Sequence, residues 1–78
     1  MTIKEKIILP KIWKGENDEN ISCTEKIKIL NENIIEINQI TDDAIEDAIL
    51  MGADPKQFIE TIIKSMKEKN TDISNKKN

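Results

Sequence analysis

A chain of 78 residues with 12 basic and 15 acidic side chains, net charge −3, has room for one small domain and lacks the basic excess of a dedicated nucleic-acid binder. All its basic residues are lysines, so the forked guanidinium that reads phosphates and base edges is absent; with one cysteine and no histidine, neither a disulfide nor a Cys/His metal cluster can brace the core. No apolar run approaches the ~20 residues that span a bilayer, and Pro10 stops the run Ile7-Ile8-Leu9 before it could act as a secretory signal, so a reducing cytoplasm is the expected compartment.

Residues 1–20 read as an extended N-terminal arm followed by a polar loop. Ile3, Ile7, Ile8, Leu9, Ile12 and Trp13 are a β-prone set interrupted by Pro10, which predicts an arm or short strand that packs through Trp13, the largest apolar side chain present. The run Gly15 to Asn20 is polar and rich in turn formers. Residues 21–69 read as a helical hairpin. Ser22 with Glu25 three residues on forms a capping box, and apolar or small residues then recur at Ile27, Leu30, Ile34, Ile37, Thr41, Ala44, Ala48 and Met51 in alternating steps of three and four. This predicts a helix from Ser22 to Met51, with Thr41-Asp42-Asp43 as the one place where an internal cap could split it. Gly52 suits a left-handed helix end, and Asp54-Pro55 supplies a cap and first-turn proline for a second helix to about Lys69. On that helix Phe58, Ile59, Ile62, Ile63 and Met66 share one broad face, opposite Lys56, Glu60, Lys64 and Lys67. Residues 70–78, with Ile73 the one apolar residue, read as a disordered tail.

The fold class expected is therefore all-α: a long helix and a shorter one in a hairpin, with an extended arm. A second helix ending at Lys69 is too short to cover the stripe around Ile27, Leu30 and Ile34, which the N-terminal arm around Ile8, Ile12 and Trp13, a second copy or a different protein must then bury; a homodimer with a four-helix core is the simplest arrangement that covers both stripes. The interaction face expected comprises Trp13, Ile27, Leu30, Ile34, Ile37, Ile45, Phe58 and Ile62. The carboxylates Glu32, Glu36, Asp43 and Asp47 line an acidic ridge on the other side of the long helix, most simply a solvated face and otherwise a surface for a basic partner. Cys23 falls at the start of the long helix, where free amides lower a thiol pKa, but with no histidine base and no resolving cysteine the plainer expectation is a packed thiol.

The stretches Pro10-Lys11-Ile12-Trp13-Lys14-Gly15, Ile21 to Asn33 and Ala44 to Asp54 resemble a family of short uncharacterised alphaproteobacterial proteins, over roughly residues 10 to 63. The resemblance implies a compact bacterial cytoplasmic protein and brings no activity with it. The residues themselves point to a helical interaction module or adaptor that self-associates or docks on a larger protein. The alternative is a small acidic regulator or inhibitor that meets a basic surface through the ridge. No catalytic residue, cofactor, metal, nucleic acid or membrane span is expected.

Overall fold

A computed structural model of the chain describes residues 7–76, so the expectation for Ile3 and the end of the predicted tail at Lys77 and Asn78 lie outside the described residues. Two helices follow one another, α1 at Thr24–Leu50 and α2 at Pro55–Lys76, and no strand forms among the described residues; the architecture is an all-α helical hairpin. The chain divides into two compact units, one up to Asp43 and one from Ala44 on.

In the first unit the arm is not a strand. An isolated antiparallel bridge joins Lys14 and Asn20, and around it the loop closes on itself through three backbone bonds. Ile21 N–H donates to the Trp13 carbonyl at 2.8 Å, Gly15 N–H to that of Glu19 at 2.8 Å, and Asp18 N–H to that of Gly15 at 3.1 Å. Asp18 takes the left-handed conformation (φ 65°), which an aspartate tolerates better than most residues. Closure presents Trp13 to α1, where its indole Nε1–H donates to Asn31 Oδ1 at 2.8 Å and both side chains are half-buried. This long-range bond ties the polar loop to the helix, so the tryptophan packs as its size predicts.

α1 contains neither glycine nor proline and runs through Thr41 to Asp43 without a break. Its first residue is Thr24, so Cys23, not Ser22, occupies the N-cap: the Cys23 carbonyl accepts from Ile27 N–H at 3.0 Å. The covered line along α1 runs through Ile27, Leu30, Asn31, Ile34, Asn38, Thr41, Ile45 and Ala48. That series steps by three and four like the predicted stripe but in a shifted phase, passing through Asn31, Asn38 and Ile45 where the stripe counts Leu30, Ile37 and Ala44; of those three, Ile37 alone is exposed. Ile37 falls off the covered line and is 57 % exposed, and Met51, beyond the end of α1 in the turn, is 78 % exposed, although both belong to the predicted stripe. Asn38 takes a covered place because its amide Nδ2 donates to the Ile34 carbonyl at 2.9 Å.

In the second unit the turn follows the sequence closely. Gly52 (φ 82°) ends α1: its N–H donates to the Ile49 carbonyl at 3.1 Å and Ala53 N–H to the Ala48 carbonyl at 2.9 Å, the paired bonds of a Schellman cap. Asp54 then caps α2, its Oδ1 accepting from Lys56 N–H at 3.0 Å with Pro55 in the first turn. Ile45 and Ala48 are the buried hydrophobic residues, and the half-buried Phe58 and Ile62 complete the protected side of this unit. α2 does not stop at Lys69. It continues to Lys76, so Asn70 to Lys76, read from composition as tail, are helical. No proline or glycine interrupts that segment, and the Thr71 hydroxyl donates to the Lys67 carbonyl at 3.1 Å within it.

Candidate interaction surface

The predicted interaction face is largely occupied within the chain. Trp13, Ile27, Leu30 and Ile34 are half-buried in the first unit; Phe58 and Ile62 are half-buried and Ile45 buried in the second. Of that set Ile37 alone stays open. The isoleucines, leucine and aromatics that pattern reading treats as one surface thus serve mainly as the thin cores of the two units.

Apart from Ile37, the apolar side chains that remain open on the two helices lie outside that set. On α1 they are Ile29, Ile35, Ile40 and Leu50. On α2 the face expected to be single is divided: Phe58 and Ile62 turn inward, whereas Ile59, Ile63 and Met66 are exposed and Ile73 joins them on the same line. Every residue from Ile63 to Ser74 is exposed. This second stripe is legible as steps of four and three from Ile59 to Ile73, but reading Asn70 onward as tail hides its last member.

The four ridge carboxylates are all exposed: Glu32, Glu36 and Asp43 in the first unit and Asp47 in the second. Gln39 Nε2 donates to Asp43 Oδ1 at 3.3 Å. Among the described residues there is no pocket, and no group of three acidic or cysteine side chains is close enough to hold a metal ion. None of their helices is long and apolar enough to cross a membrane.

Cys23 is exposed, which corrects the packed-thiol expectation. Its N-cap position explains the difference, because the side chain turns out toward the free amides at the helix start. The Lys26 N–H bond lowers the thiol pKa most; desolvation, the next largest effect, opposes it, and the Glu25 N–H and the Lys26 charge lower it further.

A search for similar proteins finds no matching family model, no matching curated protein and no matching solved structure.

Proposed function

We propose that this chain is a non-catalytic helical interaction module of the cytoplasm, which works by covering apolar helix surface with a protein partner or with another copy of itself. The observation that carries this reading is the uncovered length of α2 from Ile63 to Ser74, where Ile63, Met66 and Ile73 stand in water. A solitary helix of fewer than about 12–15 residues is marginal in water, and most helices in proteins are held by packing an apolar face. The distal part of α2 has such a face, and none of the described residues covers it. Exposed apolar stripes of this kind mark interaction surfaces.

A second reading rests on the exposure of Glu32, Glu36, Asp43 and Asp47, which leaves the ridge open to a basic surface. The two differ in salt response, since contacts between exposed charges are screened beyond ~8 Å at physiological ionic strength. Photo-crosslinking in the native cell separates them. A photoreactive residue replacing Ile63 or Ile73 is expected to capture a protein partner whose association survives raised salt, whereas one replacing the outward Glu68 is not. Capture from Glu32 and Glu36 positions alone, lost at raised salt, would favour the acidic regulator and overturn the module.

A further inference from the structure

The open stripe on α2 has a finer pattern than a generic sticky face. Ile59, Ile63, Met66, Asn70 and Ile73 follow one another in steps of four, three, four and three, the a/d repeat of a coiled coil, with Ile63 and Asn70 at a and Ile59, Met66 and Ile73 at d. Exposure rises along it, from 39 % at Ile59 through 46 % at Ile63 and 52 % at Met66 to 56 % at Ile73, so the seam opens progressively away from the turn. The helix is continuous through Asn70, which keeps all five positions in one register.

We infer that the occupant of this seam is α2 of a second copy of the chain, aligned in parallel, with Asn70 facing Asn70 across the dimer axis. Asn70 identifies the occupant. A carboxamide carries both donors and an acceptor, so two copies of it satisfy one another, whereas a chain with an apolar residue at that layer leaves the amide unpaired. Asparagine at a single a position is the residue that sets register and two-stranded pairing in parallel coils. The antiparallel alternative has one point in its favour, since it brings Glu60 near Lys67 of the partner subunit. It also places a opposite d in every layer, so that Asn70 always faces an apolar side chain. An unpaired buried amide costs more than an exposed ion pair returns, and the parallel arrangement wins. In parallel register the flanking pairs are Ile62 with Lys67 and Lys69 with Ser74 of the second copy, none of them like-charged.

The seam from Ile59 to Ile73 is two heptads long, about 21 Å of helix at 1.5 Å per residue. Stable interfaces bury about 1,200–2,000 Å² in total, counting both partners. The seam is short, so the dimer dissociates on dilution.

This inference rests on the reading of the chain as an interaction module and narrows its partner to a second copy. The test uses the full chain. Sedimentation equilibrium is expected to show a monomer–dimer equilibrium, and Asn70→Asp, which sets two carboxylates face to face, is expected to weaken it more than about tenfold at neutral pH. Thr71→Asp on the outer side is expected to leave it unchanged, with helix content followed by circular dichroism in both variants. In a Cys23→Ser background, Asn70→Cys is expected to form a disulfide-linked dimer on mild oxidation, which a–a′ contact alone permits. A chain monomeric up to about 1 mM, or a dimer that Asn70→Cys fails to link, would overturn the inference. A monomer whose Ile63 position still crosslinks to another protein in cells would overturn it while leaving the broader function standing.

Discussion

The turn between the helices and the far half of α2 lie in the same unit and are built on opposite terms. From Ala48 to Phe58 the backbone groups freed at the helix ends find partners: Gly52 and Ala53 close the cap on α1, and Asp54 opens α2. Beside them sit the buried Ile45 and Ala48. From Ile63 to Ser74 the backbone is helical and no side chain is covered. The turn is specified by local chemistry and needs nothing from outside. The distal helix is specified by an apolar repeat that is satisfied by burial alone, so its stability and its function are the same question.

Substitutions can break or sharpen this contrast. Ile45→Ala removes most of a buried side chain and is expected to cost about 2–5 kcal/mol, a large part of the roughly 5–15 kcal/mol typical of small domains; urea denaturation followed by circular dichroism measures it. Gly52→Ala meets no atom within 4 Å, so its cost is purely that of a left-handed φ of 82°, about 1–2 kcal/mol by the same measurement. Gly52→Asn should recover part of that. Asp54→Ala deletes the cap on the Lys56 amide and is expected to cost about 1 kcal/mol. Glu68→Ala, on the exposed far half of α2, should stay within about 0.5 kcal/mol. A loss there comparable to that at Gly52 would erase the distinction.

The smallest effect concerns Cys23. Its pKa is lowered in the folded chain, chiefly by the Lys26 amide, so the folded state favours the thiolate. The stability contributed by this group is present above the unfolded pKa and is lost as pH falls through the folded pKa. Alkylation of the folded chain is expected to reach half its maximal rate at a lower pH than in denaturant. Equal midpoints would show that the helix-start amides do not hold the thiolate.

How much of this is readable from the residues follows the same divide. Glycine, aspartate and proline punctuate the turn at Gly52, Asp54 and Pro55, each with one conformational use there, and the hairpin can be drawn from them. The apolar faces are harder. A stripe counted in alternating threes and fours selects Ile37, where the helix covers Asn38, and Met51, which falls in the turn beyond α1, and no periodicity announces that an asparagine will satisfy its amide on the Ile34 carbonyl. The end of α2 escapes pattern reading because Asn70, Thr71, Asp72 and Ser74 look like tail by composition; the one apolar residue among them, Ile73, matters through its register with Met66. The packing of Trp13 is legible from its size, but the Asn31 partner is not, because it depends on closure of the loop between Lys14 and Asn20.

Amide hydrogen exchange measured residue by residue over a range of protein concentration tests the central claim most directly. If a second copy covers the distal seam, amides from Met66 to Ile73 gain protection as concentration rises, while those of the capped segment from Ala53 to Phe58 change little. Distal amides already as protected as the capped segment in dilute solution, and indifferent to concentration, would show that the chain holds this helix by itself and would contradict the account.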